Sequence, residues 1–326
     1  MRRTTRPWGW AAVFFAATTV LSHAQAPAEP YPNKTVTLVV AYPAGAASDT
    51  VGRIIAEYLG QTLKATVIVD NRGGANGSIG TAYAARVTPD GYTLALVSNA
   101  THAANVSLFK NLKYDPVKDF DPIGRIATFN YMVIAHPSVQ ANTMAELIAR
   151  SRANPTELSY AAGASSAVVL GESLNLSTGA SMLKVPYRSN AQAMTDVLGG
   201  RVSLTFTDIA VGLPYIQSKQ LKALAVTSKE RSAIVPEIPT INETVLPGFD
   251  LVAWMGLVVP TGTPKPIRDQ LTSALSQILS REDVKQRFLG IGAELAPLPG
   301  ESFRDFLRAE VTKWSKLVKD AGIEPE

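Results

Sequence analysis

Between Thr35 and Leu63 the chain reads TVTLVVAYPAGAASDTVGRIIAEYLGQTL, an apolar strand that passes through a loop of small residues straight into an amphipathic helix. The run Val36 to Ala41 is β-branched and apolar, the composition of a parallel strand covered on both faces, and Pro43 ends it. Val51, Ile54, Ile55, Tyr58 and Leu59 recur at three- and four-residue spacing, which turns one helical face to a sheet and leaves Arg53 and Glu57 outward. Ser48 and Asp49 are the candidate N-caps. Gly45, Ala46 and Ala47 carry almost no side chain, so an anion has access to free N–H groups and to the positive end of the helix. An ordinary strand-to-helix turn has the same pattern. The junction therefore fixes an α/β architecture and, taken alone, leaves open whether it is also a site.

The N-terminus sets the compartment. Met-Arg-Arg-Thr-Thr-Arg precedes the apolar stretch Trp8 to Leu21 and then Ser22-His23-Ala24-Gln25-Ala26. A basic start, an apolar segment too short to span a bilayer as a mature helix, and small residues before a cut describe a secretory signal over residues 1–26, cleaved after Ala24 or Ala26. The expected product is a soluble periplasmic protein. With no cysteine it has neither a lipid-modified N-terminus nor a disulfide. Loss of Arg2, Arg3 and Arg6 brings the 31 basic residues close to parity with the 27 acidic ones. No basic stripe interleaved with aromatics remains, so no nucleic-acid partner is expected. Roughly 300 mature residues exceed what one core usually serves, which predicts two lobes.

The strand-loop-helix scheme recurs along the chain. A second strand, Ala65 to Asp70, leads into Asn71 to Gly80. There Gly74, Gly77 and Gly80 serve a tight turn rather than a dinucleotide loop, because Asn76 stands where G-x-G-x-x-G requires glycine. Tyr92 to Val97 is a strand, and Ser98-Asn99-Ala100-Thr101-His102 follows it at the carboxyl edge, where α/β sheets present ligands. Ile123 to His136 crosses into the second lobe and Phe249 to Val259 returns. Between them, Thr143 and Glu146 form a capping box. Leu158 to Ala161 is a strand, and Ala162-Gly163-Ala164-Ser165-Ser166 is another loop of small residues opening a helix. Helices at 264–279, 281–289 and 302–321 complete the first lobe. The expected bounds are 27–128 with 253–326 for lobe 1, and 129–252 for lobe 2.

Catalytic hardware is sparse. The mature chain has His102 and His136 and no cysteine, too few ligands for a zinc site of the usual kind. Gly163 to Ala167 departs from G-x-S-x-G at its fifth position. His102 reads either as a hydrogen-bond contact in the cleft or as a helix cap, and His136 as structural. Thr207 and Asp208 end a strand at the same edge, Asp208 being either a cleft acceptor or the N-cap of the next helix. Tyr187 and Arg188 precede a helix; Arg188 either meets the distal charge of a diacid or lies outward. No cofactor and no metal is expected.

Together these segments resemble the Bug family, the extracytoplasmic solute-binding proteins of tripartite tricarboxylate transporters. The landmarks are Tyr42-Pro43-Ala44-Gly45-Ala46-Ala47-Ser48-Asp49, Asp70-Asn71-Arg72-Gly73-Gly74-Ala75, Pro89-Asp90-Gly91-Tyr92, Val185-Pro186-Tyr187-Arg188, Leu198-Gly199-Gly200-Arg201-Val202 and Pro236-Glu237-Ile238-Pro239-Thr240, in that order along nearly all the mature sequence. The resemblance implies a two-lobed α/β periplasmic binding protein, a Venus flytrap of type II-like form, with a mixed, mostly parallel sheet in each lobe and a two-strand hinge. It implies a ligand carboxylate gripped between the Tyr42–Asp49 and Ala162–Ser166 loops, with Asn99, Thr101, His102, Thr207 and Asp208 in the remaining wall. Ala44 and Ser189 stand where the family often has glycine, and Ala46-Ala47 replaces glycine-rich variants, which narrows the freedom of the loop.

The implied function is capture of a small organic carboxylate, a dicarboxylate or an aromatic carboxylate, by a monomeric binding protein that converts nothing and delivers its ligand to transporter membrane subunits (TctA- and TctB-like). The alternatives are a ligand-sensing subunit for a membrane sensor kinase and, from another class, an extracytoplasmic enzyme acting on carboxylates.

Overall fold

The computed structural model describes residues 31–325; the expected signal segment lies outside them. Among the described residues, the strands in chain order are β1 (Val36–Val40), β2 (Val67–Asn71), β3 (Thr93–Ser98), β4 (Phe120–Phe129), β5 (Tyr131–Ala135), β6 (Ser159–Ala162), β7 (Leu183–Pro186), β8 (Leu204–Asp208), β9 (Lys222–Val226), β10 (Ala253–Pro260) and β11 (Glu294–Pro299). They form two sheets, ordered β11-β4-β10-β3-β1-β2 and β7-β6-β8-β5-β9.

Both sheets are mixed, with most strands pointing one way. β1 pairs parallel with β2 and β3, while β10 lies antiparallel between β3 and β4, and β11 antiparallel to β4. In the second sheet β6 pairs parallel with β7 and β8, and β5 runs antiparallel to both β8 and β9. β1 is interior to its sheet and its apolar residues are buried on both faces, which is why it carries no polar alternation.

The chain passes between the sheets at Asn130, which splits the single extended span predicted over 123–136 into β4 and β5. It returns through Leu251 and Val252 into β10. The two crossings are tied where Thr227 receives the Tyr131 N–H on Oγ1 at 3.2 Å and the Leu251 N–H on its carbonyl at 3.0 Å. β11 has no counterpart in the sequence reading. Pro297 and Pro299 mask it, and proline is tolerated there because β11 is an edge strand whose register slips between Leu295 and Leu298.

The predicted Thr143 cap is present: its Oγ1 accepts the Glu146 N–H at 3.1 Å. Glu146 reaches back to the Asn142 N–H rather than to Thr143, so the reciprocal box forms instead at Thr240 and Glu243.

The last helix, Gly300–Asp320, buries Phe303, Leu307, Glu310, Trp314 and Val318 at three- and four-residue spacing. One core cluster joins Val97 and Trp254 of the first sheet to Val133 and Phe206 of the second, with Trp314 and Val318 packed among them. The two halves thus share apolar contacts as well as the crossings.

Candidate ligand-binding cleft

The first helix, Ala47–Leu63, starts at an N-cap that has no side chain to offer: Ala46, at φ −70° and ψ 160°. The sequence predicts Ser48 and Asp49 as the caps; instead they lie inside the first turn. Ala46 itself donates to the Pro43 carbonyl at 3.3 Å. The N–H groups of Ala47 and Ser48 have no intrahelical acceptor. Asp49 turns back instead of out. Its carboxylate accepts the Gly45 N–H at 2.9 Å, Arg53 Nε at 3.0 Å and Asn71 Nδ2 at 3.0 Å. The Arg53 contact, with help from Gly45 and Asn71, holds this carboxyl below its ordinary range despite burial. Gly45, at φ +84°, makes the bend that brings its N–H to Asp49. Asp49 is thus a brace for the loop.

The second junction has no such brace. β6 ends at Ala162, and the helix Ser165–Thr178 has Ala164 as N-cap, without a capping side chain and with no acidic residue in its first turn. Gly163 serves packing here: a Cβ would lie 2.6 Å from the Ser189 carbonyl carbon.

Both helix starts open onto one cavity of about 550 Å³. Ala46, Ala47 and Ser48 from the first junction face Ala164 and Ser166 from the second, with Tyr42, Ser98 and Asn99 beside them. The Tyr42 hydroxyl lies 3.4 Å from Ser98 Oγ, and burial pushes its phenol up. Asn99 makes no capping bond to the turn it precedes, leaving its amide for the cleft. Tyr131, at the crossing, also lines the space; burial and, less strongly, the Asp208 carboxylate raise its phenol. Among the described residues, no side chain lining the cleft carries a formal charge.

The other expected wall residues point elsewhere. After β3 the chain forms a π-helical turn, Ala100–Ala104, that folds inward. Thr101 Oγ1 accepts the Ser98 N–H at 3.0 Å and sits 3.2 Å from Nδ1 of His102. His102 is fully buried, its ring centroid 4.9 Å from that of Phe120, with Nε2 unpartnered. Burial drives its imidazole down to about 3, so it is neutral. It is a core residue, neither a cleft contact nor a cap. Thr207 is buried against Gly212 of the helix Ile209–Gln217. Asp208 holds the N-cap position of that helix without a side-chain capping bond, and burial raises its carboxyl. Tyr187 donates to Asp196 at 2.7 Å, and Arg188 is exposed. None of these lines the cavity.

In their place the structure supplies a far wall of Ala104, Leu108, Val169, Met255, Trp314 and Val318. Trp314 and Val318 stand four apart on the last helix. That spacing marks an apolar face in the sequence but not which space the face closes.

A family model described as the tripartite tricarboxylate transporter family receptor, TctC, matches residues 51–323. The chain belongs to that family. Among curated TctC-type relatives, protein BugT of Bordetella pertussis is 32% identical over 300 residues, covering 91% of this chain and 92% of BugT. Among solved structures, Rpa4515 of R. palustris with adipate is 31% identical with a TM-score of 0.73, over 91% of this chain and 100% of that one. MatC (Rpa3494) from Rhodopseudomonas palustris with bound malate is 29% identical with a TM-score of 0.69, over 88% and 100%. The two-sheet α/β architecture is that of the solute-binding receptors of this family.

Proposed function

We propose that the protein is a soluble, monomeric periplasmic receptor that captures a small organic carboxylate in the cleft, closes over it and presents it to the membrane subunits of a tripartite transporter. The lobes on this reading are 27–128 with 253–326, and 129–252, turning about the crossings at Asn130 and Val252. The observation that carries it is the convergence of two uncapped helix starts, from different sheets, on one cavity whose lining bears no charge. Each start offers N–H donors and the positive end of a helix dipole, worth up to about 2 kcal/mol to an anion in a partly buried geometry. Charge-assisted hydrogen bonds add roughly 1.5–3 kcal/mol apiece. Micromolar affinity needs about 8 kcal/mol, so a carboxylate touching both halves reaches it only when the halves close. Adipate and malate in the two neighbours accord with an acid as ligand.

Conversion of the ligand is not part of this reading. Neither His102, which is fully buried, nor His136, which is within hydrogen-bond distance of Ser138 Oγ, lines the cleft.

The test is calorimetry and thermal shift with a panel of small carboxylic acids, set beside matched amides and alcohols. Acids stabilise the protein and give heat; their neutral isosteres do not. Equal response to acids and amides, or no response to any acid, overturns the proposal.

A further inference from the structure

We propose, resting on the receptor reading above, that the site selects a monocarboxylate with an apolar tail, aliphatic or aromatic, and rejects acids that place a second charge at the far end. The polar and the apolar lining come mostly from different elements; only the helix Ser165–Thr178 supplies both, with Ser166 in its first turn and Val169 a turn further on. Ser48, Ser98, Asn99 and Ser166 belong to the loops and helix starts where the headgroup is held. Tyr42, Asn76 and Tyr131 add uncharged polar groups, while Leu108, Val169, Met255, Trp314 and Val318 present hydrocarbon.

The one polar atom among these large side chains, apart from the Met255 thioether, is already committed. Trp314 Nε1 donates to the buried carboxylate of Glu310 at 3.2 Å, on the same oxygen that receives Trp254 Nε1 at 2.7 Å. Trp254 is fixed edge-on against Phe303 and Phe306. Glu310 is therefore a positioning residue that pins the Trp314 ring and leaves only carbon for a ligand to meet. Among the described residues, no cation lines the cleft to receive a distal carboxylate.

An ionised group left against such a wall keeps neither its water nor a partner, a cost that amounts to at least about 100-fold in affinity. Each methylene buried there gains about fourfold. Of the two ligand classes expected from the sequence, an aromatic monoacid fits this wall and a dicarboxylate does not.

Matched pairs test the proposal: hexanoate against adipate, and benzoate against terephthalate, titrated by calorimetry at pH 7.5 with Trp314 fluorescence as a second readout. The monoacids bind at least about 100-fold more tightly than their diacids, and the indole emission shifts on binding. Leu108→Arg, at a half-buried position in the wall, narrows that ratio by tenfold or more by giving the distal charge a partner. A diacid that binds as well as its monoacid overturns the inference while leaving a carboxylate receptor intact. Leu108→Arg that folds, binds and leaves the ratio unchanged overturns it too, by placing the tail elsewhere. Failure of all four acids to bind removes the receptor reading and the inference together.

Discussion

The two helix starts proposed as anion cradles differ in how they are held. In lobe 1 the loop is braced by Asp49, which ties Gly45, Arg53 and Asn71 to the first turn of the helix. In lobe 2 the corresponding first turn has no carboxylate and its Ala164 cap offers no side chain. Two loops of similar small-residue composition are thus held differently: one by a buried carboxylate, the other without one, its first turn tied through Ser166 to the Tyr131 hydroxyl. If the protein is the receptor proposed above, that asymmetry predicts an order in which the headgroup docks on the first junction before the second meets it.

The largest effects come from filling either cradle. Ala47→Trp and Ala164→Trp each place an indole where a carboxylate would sit, and each lowers affinity by more than about 100-fold with little change in Tm, since both positions face the cleft rather than the core. The comparison adds a rank: the braced loop cannot yield, so the lobe 1 variant loses more than the lobe 2 variant. Titration of both with one bound acid reads this, and unaltered affinity in both would mean the mouth of the cleft has been misplaced.

Asp49→Ala converts the first cradle into the kind found in the second. It removes the acceptor of the Gly45 N–H and one acceptor each from Arg53 and Asn71, which keep only Asn71 Oδ1 and the Tyr42 carbonyl. Affinity falls by about tenfold, or roughly 1.4 kcal/mol, and Tm drops by a few degrees. The equivalent loss cannot be produced at Ala164, where there is no brace to delete. A lower Tm with unchanged affinity would show that the brace stabilises lobe 1 without shaping the site.

A smaller effect is expected at the hinge. Glu294 on β11 accepts Asn130 Nδ2 at 2.8 Å, Ser232 Oγ at 2.5 Å and the Ala233 N–H at 3.1 Å, so a lobe 1 side chain holds both the crossing and a lobe 2 loop. Glu294→Gln keeps the shape and weakens these bonds. Stopped-flow dissociation should quicken about threefold with association unchanged, a shift of roughly 0.6 kcal/mol. An unchanged dissociation rate would show that Glu294 does not set the opening equilibrium.

Much of this could be read in the chain before any coordinates. A continuous apolar run, small residues and then a helix are local signals, and they located both strand-to-helix junctions. The far wall was not legible because Leu108, Met255 and Trp314 lie far apart in sequence, and each reads as ordinary core. β11 was hidden by its prolines. Asp49 was placed in the right turn with the wrong task, since spacing does not distinguish a cap that faces its own helix from a carboxylate reaching back to the loop before it.

His102 shows where local reasoning fails and gives the smallest effect on binding. Its place just beyond β3 puts it on the ligand side only if the chain continues as an open loop. The π-helical turn rotates it inward onto Phe120 and Tyr114 instead. A buried neutral imidazole binds its proton less readily folded than unfolded, so between the unfolded value near 6.5 and the folded value of about 3 the unfolded chain carries more protons. Its contribution to stability is complete above that window and is lost as pH falls through it. Urea midpoints between pH 7.5 and 5 should therefore decline for the native sequence, and decline less for His102→Leu, whose affinity for an acid at pH 7.5 stays within about twofold. A pH slope identical in the two proteins would mean the imidazole titrates as if in water. A tenfold loss of affinity would return His102 to the ligand.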